Sequence, residues 1–546
     1  MVQILIRNGK KFFFSKQTTI FSAAAIIAIS ILASRVLGLL RYRLLATYFG
    51  QEIKTLDAFI AASIIPESIF EILIFGSISV AFIPVFSSFL TRGEEKKAWT
   101  LASSILNLGL FTFIAVSLLL MILAPKLVNL VAPGLTHEDP QTQILMASLI
   151  RIMIFSQLFF VASIFLTGIL QSFGHFLFPA LAAVFYNLGI IFGIIFFSPF
   201  LGIYGPAWGM VLGAFFHFLI QLPLALKLGA RFRFTIDFGA DGVKKVVELM
   251  WPRALNLLAI RVNDLVNVAL ASLLASGSIV AFNFAQTLQF VPVGIFGVSL
   301  AQAALPIFSS QVAVGKIDEF KKTFLSAVNQ IIFLSLPSIA LLSILRIPIV
   351  RLVFGASQFP WELTITTGQV LIILSLSIVT QALSLVLVRG FYAFHDPKTP
   401  VFCGFTSISV NIFLSFVFVR VMGLPIHFLA VSYFIGSSLQ TLLLIFFLNR
   451  KVSFDKKLLF LPAFKTSLAT LLMVLALYAP FKILDSLLDT SRTINLILLT
   501  SISVLIGLSV FFLASHFLKI EEAKILVGTF LKMNPTRKAK LQETLT

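Results

Sequence analysis

Arginines and carboxylates stand in this sequence where apolar residues would be expected. Between Ser34 and Pro84, Arg35, Arg41, Arg43, Asp57, Glu67 and Glu71 lie within or beside two long apolar segments. A single Arg or Asp at the centre of a membrane helix costs about 2.5–3.5 kcal/mol on insertion scales, so such residues persist where they face protein or a watery cavity. Guanidinium grips phosphate oxygens in a two-pronged fork, and Arg35 reads as part of an anion clamp. For Arg41 the clamp and a snorkelling helix-end position stand equal, and Arg43 reads as interfacial. Arg35 and Arg41 are about 240° apart on a straight helix, so a kink near Gly38 would be needed to bring both to one cavity. Asp57 opens the second segment, either as a helix cap or as a gating residue. Glu67 and Glu71 share one helical face and need cations, with Arg35 or Arg261 as candidate partners.

A second constellation lies in WPRALNLLAIRVNDLVNVALASLLASG, which carries Arg253, Arg261, Asn263, Asp264 and Asn267. Arg261 and Asp264 are three apart and could pair with each other. Alternatively Asp264 and Asn267, with Asn411 from another segment, supply hard oxygens for Na⁺ or a proton. Arg389 lies near a helix end and reads as interfacial. His137, Glu138 and Asp139 read as a solvated loop. The sequence holds no phosphate-cradling P-loop and no histidine pair at metal spacing. No cofactor is expected, and any work must draw on Na⁺, H⁺ or the membrane potential.

The elements that position these residues follow from composition. Of 546 residues, 59% are hydrophobic and 12% charged, with a mean hydropathy of +1.03. Apolar runs of about 20 residues recur, each long enough to cross a bilayer. The expected fold class is an all-α polytopic membrane protein. Its fourteen segments fall near 18–40, 56–90, 99–124, 143–172, 177–199, 203–228, 245–275, 279–311, 321–346, 365–394, 400–421, 426–449, 460–481 and 494–518. The net charge of +19 is spread as short clusters between apolar runs, the pattern of cytoplasmic loops facing anionic lipid rather than of a nucleic-acid binder. Lys96 and Lys97, Lys244 and Lys245, Lys321 and Lys322, and Arg450 and Lys451 mark one side; Ala132–Gln143 lies on the other. Both termini are then cytoplasmic, including the basic tail Lys532–Lys540. Lys10 and Lys11 precede an uncleaved first helix. Cys403, the one cysteine, excludes an intrachain disulfide.

An internal repeat divides the chain. IPVFSS at 83–88 returns as LPIFSS at 305–310, QSFGHFLFP at 171–179 as YAFHDPKTP at 392–400, and DAFIAASIIPESIF at 57–70 parallels VAFNFAQTLQFVPVGIF at 280–296. Six helices return the chain to its starting side, so the halves are expected to be parallel pseudo-repeats with substrate at their interface. The expected division is an N-lobe over 1–240, a C-lobe over 241–455, two extra helices over 456–520 and a basic tail over 521–546.

Together SRVLGLLR, LDAF, GSISVAFIPVF, LASGS at 274–278, PVGIFGVSLAQAALP at 292–306 and FYAFHDPKTP at 391–400 resemble the MurJ/MviN family of the MOP exporter superfamily, flippases for the peptidoglycan precursor lipid II. The resemblance implies fourteen helices, with the last two forming a groove for the polyprenyl tail, and a transporter rather than an enzyme. It implies an undecaprenyl-pyrophosphate-linked saccharide as substrate, membrane lipids as the other partners, a monomer, and a bacterial cytoplasmic membrane location. Arg35 and Arg41 match the family's cavity arginines and Asp57 its aspartate, while Asn267 and Asn411 fall about where some members are thought to bind sodium. The chain departs from the family pattern at Tyr42, in place of Asp, and at two arginine positions, near Phe70 and Glu71 and near Gln286 and Thr287. Arg253 and Arg261 are the available substitutes, and Arg261 is expected to face Arg35 with Glu71 balancing the cluster. A flippase for another polyprenyl-linked glycan and a MATE-like cation-coupled antiporter are the alternatives.

Overall fold

In hydrocarbon every backbone N–H and C=O must be satisfied within its own segment, so apolar runs of this length become helices. The computed structural model describes residues 20–72, 81–234, 237, 242–355, 359–454 and 457–525, and contains no strand among them. Eleven helices among these residues are long and apolar enough to cross a membrane. The chain is an all-α multi-pass membrane protein. The other expected spans coincide with α1 (Ile20–Phe49), with α2 (Ile53–Phe70) and α3 (Ile83–Thr91), and with α9 (Val243–Ser272). Polar side chains make α9 less apolar than its neighbours. Positions 73–80, the Lys10–Lys11 cluster, the Lys532–Lys540 tail and the side chains of Glu138 and Arg253 lie outside the described residues.

The chain divides into two compact units, 1–280 with 353–360, and 281–352 with 361–546. Within the first unit, α9 packs on α2 and on α4 (Glu95–Val131). In the first unit, α6 (Pro140–Ser172) is the central post, flanked by α2, α4 and α8 (Tyr204–Lys227). The short α5 (Pro133–Glu138) precedes it, and α7 (Leu177–Leu201) lies between α1 and α8.

The second unit follows the same plan. It contains α10 (Ser278–Ala313) from position 281 onward, α11 (Ile317–Ile344), α12 (Arg346–Val353) up to position 352, α13 (Trp361–Ala393), α14 (Lys398–Val421) and α15 (His427–Val452). Here α13 takes the place of α6 as the post. Beyond the repeat, α16 (Lys457–Leu487) and α17 (Thr493–Phe517) pair with each other and pack on α11. Phe333, Met473, Leu477 and Phe511 form their shared core.

The repeat extends to small details. A π-helical turn at Gly193–Phe197 in α7 returns as Val417–Val421 in α14. Gly174 ends α6 at φ +79, and His395 ends α13 at φ +54. In each case the next N–H closes the turn, from His175 to the Leu170 carbonyl and from Asp396 to the Phe391 carbonyl, the left-handed helix ending that glycine usually serves. Asp396 then starts α14 by accepting from the Thr399 N–H and hydroxyl and from Lys451. Partial burial pushes its carboxyl up, but these donors outweigh burial and hold it below the usual carboxylate range.

Helices α7 and α8 meet backbone to backbone. A Cβ on Gly189 would stand 2.2 Å from Gly213 Cα, and one on Gly193 would stand 2.4 Å from Gly209 Cα. Small residues at four-residue spacing allow this approach, which carries helix association where there is no hydrophobic drive. Gly189→Ala is therefore expected to destabilise the protein by about 3 kcal/mol, since backbone cannot yield as a side-chain tip can. Gly404→Ala, which meets only the Gln440 side-chain end at 3.8 Å, should be within about 0.5 kcal/mol of wild type. Thermal unfolding in detergent compares them, and equal behaviour of the two variants would refute the packing argument.

Candidate functional site

The described polar site of the first unit is assembled from α1, α2, α7 and α9. At its middle α1 is anchored on α7, where Asn187 Nδ2 donates to Ser34 Oγ at 3.1 Å; a Cβ on Gly38 would stand 3.9 Å from Asn187 Oδ1, an ordinary contact. The helix continues without interruption through Gly38. Arg35 is exposed, while Arg41 is half-buried. The Arg41 guanidinium lies over the Tyr42 ring at 4.7 Å, and its Nε is buried without a hydrogen-bond partner. Phe354, fully buried, meets the Tyr42 ring in a T-shaped pair with 6.4 Å between centroids.

Glu67 and Glu71 project from α2 one turn apart. Arg261, from α9, holds Glu71 through Nη2 and Asp264 through Nη1, the latter at 3.0 Å. Glu67 is within electrostatic reach of Arg41, Arg261 and Glu71, and Tyr186 of α7 is within reach of Arg41 and Glu67. Two guanidinium groups and three carboxylates thus form one network. Each half-buried side chain of the Arg261 bridge retains about a quarter to a third of its exposure. Where the family resemblance implies an arginine on the second helix this chain has Glu71, and the guanidinium there comes from α9 instead.

Asp57 is buried to 1% exposure and does not serve its own helix. Its Oδ2 accepts from the Gly277 N–H at 2.6 Å and its Oδ1 from the Val280 N–H at 2.8 Å. LDAF and LASGS, far apart in sequence, meet in this clasp. The carboxylate satisfies the orphan donors at the start of the Ser278 helix and complements its positive end. Nearby, Gly134 packs so closely on the last turn of α9 that a Cβ would stand 1.9 Å from the Ser272 carbonyl oxygen.

The remaining sequence candidates are placed as follows. Asn263 and Asn267 are buried on α9, beside Asp264 in sequence; Asn411 is buried on α14 in the second unit, where its Oδ1 accepts from Ser415. No group of three His, Cys, Asp or Glu that could hold a metal ion occurs among the described residues. Arg43 is half-buried on α1. Arg389 lies 5.8 Å from the Tyr392 ring centroid near the end of α13. Asp139 caps α6 by accepting from the Gln141 N–H and the Thr142 hydroxyl, which hold its carboxyl below the usual range. Cys403 is buried and free.

Sequence reasoning missed two features. Tyr186 was hidden among the apolar residues of α7, where a phenol hydroxyl next to Asn187 was the available signal. The other is the buried set of Ser163, His217 and Gln221, which ties α6 to α8 through Ser163 Oγ, 2.6 Å from His217 Nδ1 and 2.8 Å from Gln221 Nε2. Its repeat counterpart on α13, Ser384, lies 2.9 Å from Thr441 Oγ1 of α15.

A helix plan repeated in two units, with arginines and carboxylates gathered in the first of them, is that of a multi-pass membrane transporter. A family model for lipid II flippase MurJ matches residues 45–515. The chain is 31% identical over 495 residues to the probable lipid II flippase MurJ of Thermotoga maritima, covering 90% of this chain and 94% of that one. It is 30% identical over 387 residues to the probable lipid II flippase MurJ of Buchnera aphidicola, covering 70% and 75%. Among solved structures, lipid II flippase MurJ in an inward closed conformation matches with a TM-score of 0.76 at 24% identity, covering 91% and 99%. An inward-facing multidrug resistance MATE transporter of the MOP superfamily matches at 0.65 and 14%, covering 79% and 98%. These structural likenesses concern the fold. The chain belongs to the MurJ lipid II flippase family.

Proposed function

We propose that this chain carries lipid II from the inner to the outer leaflet of a bacterial cytoplasmic membrane by alternating access. The observation that carries the reading is the arginine-containing network of the first unit, set inside a chain that matches the flippase family over 45–515. Arg35 and Arg41 are the residues offered to the pyrophosphate, with Arg261 supplying the guanidinium that Glu71 displaces from α2. Both termini are cytoplasmic, because the basic loops mark that side. Labelling of an introduced cysteine at position 94, but not at 138, by an impermeant reagent on intact cells would reverse this orientation.

The test of substrate is direct binding of defined polyprenyl-pyrophosphate precursors to the purified protein. Lipid II is expected to bind more tightly than undecaprenyl pyrophosphate alone, and preference for a different glycan would move the assignment to that headgroup. The excess of carboxylates over arginines in the network supports a second element, coupling to a cation through Asp264 with Asn267 beside it. Asp264→Asn is expected to flatten any Na⁺ or pH dependence of transport in vesicles; an unchanged dependence would leave Asp264 as a partner of Arg261 only.

A further inference from the structure

The two repeats treat one groove differently. In the first unit the non-helical residues 231–234 lie along α4. Ser103 Oγ donates to the Arg231 carbonyl at 3.3 Å and accepts from the Arg233 N–H at 3.2 Å, while Asn107 donates to the Arg233 carbonyl at 2.6 Å. At the repeat offset that relates α4 to α11, Asn107 returns as Asn329, which donates to the Leu458 carbonyl at 3.2 Å. Ser103 returns as Leu325, which offers a passing backbone nothing. The chain leaves α15 through Ser453 at φ +52, Phe454 stacks on Phe324 with centroids 5.0 Å apart, and residue 457 is already helical.

What remains is a cavity of about 330 Å³ within the second unit, lined by Leu325, Val328, Leu383, Leu387, Phe446 and Phe460 among others. Its polar liner, Asn449, already uses Oδ1 to accept from the Phe454 N–H at 2.9 Å. The volume is at the lower end of small-ligand sites, suited to one hydrocarbon chain and too small for a long polyprenyl. Two basic residues flank the lining in sequence: Arg450 follows Asn449, is exposed and lies 4.4 Å from the Phe446 ring centroid, and Lys457 opens α16 three residues before Phe460. These cations belong to the loops that face anionic lipid.

We infer that this cavity holds one acyl chain of an anionic phospholipid, with the headgroup phosphate met by Arg450. The site is separate from the network of the first unit, and its test needs no transport. The full-length protein in mild detergent is mixed with equal phosphatidylglycerol and phosphatidylcholine of identical acyl chains, and retained lipid is read by native mass spectrometry. Phosphatidylglycerol is expected to be retained about fivefold over phosphatidylcholine. Arg450→Gln, at an exposed position, should remove the preference, and Val328→Trp should fill the cavity and reduce retention of both lipids. Should Val328→Trp not fold, a photoreactive acyl chain on phosphatidylglycerol is mapped in the wild type and should label Phe446 or Phe460. Unchanged preference in Arg450→Gln, or labels confined to other helices, would overturn the inference. Displacement by inorganic phosphate alone would make this an anion site without a lipid. Displacement by a polyprenyl phosphate alone would make it a substrate-tail site.

Discussion

Replacing Arg261 by alanine is expected to cost the protein both transport and stability. Arg261 satisfies Glu71 of α2 and Asp264 of its own helix at once, and Glu67 lies within its electrostatic reach. Removing it leaves half-buried carboxylates facing one another without a cation. Breaking a buried pair in this way typically costs 3–5 kcal/mol, and partial exposure puts this case near about 3. Removing both bonded acids along with the base should restore much of the stability, because neither acid of the bridge is then stranded. Arg261→Leu with Glu71→Leu and Asp264→Asn is therefore expected to unfold near the wild-type temperature and still fail in transport. Thermal unfolding of the purified single and triple variants decides this. An Arg261→Ala protein as stable as wild type would show that the bridge carries no structural weight.

Arg35→Ala should separate the two effects. Arg35 is exposed on α1, and substitutions at exposed positions usually shift stability by no more than about 0.5 kcal/mol. A charged hydrogen bond to phosphate is worth about 1.5–3 kcal/mol, so losing a two-pronged contact should lower transport by about 100-fold or more. Arg35→Lys should recover only part of it, since one ammonium cannot reproduce the fork. Expression-matched complementation, with insertion checked by membrane fractionation, reads the outcome. Full activity of the alanine variant would remove Arg35 from the anion clamp.

The fold was legible because bilayer crossing leaves few alternatives: runs of apolar residues must be helices, and each of the fourteen expected segments coincides with helix over most of its described residues. The repeat was legible from short identities such as IPVFSS and LPIFSS. The site was legible only as a set of residue types. Asp57 shows why. Its acceptor role depends on N–H groups at Gly277 and Val280, and no local pattern near Asp57 points to a turn some 220 residues away.

The central claim is that this chain moves lipid II across a bilayer. The most direct measurement reconstitutes the purified protein into vesicles carrying labelled lipid II in one leaflet and follows its appearance in the other. Protein-dependent movement well above empty vesicles is expected, with the Arg35→Ala protein inserted to the same level but inactive. Movement no faster than in empty vesicles, with folded protein present and the imposed potential and Na⁺ and H⁺ gradients each tried in turn, would contradict the account.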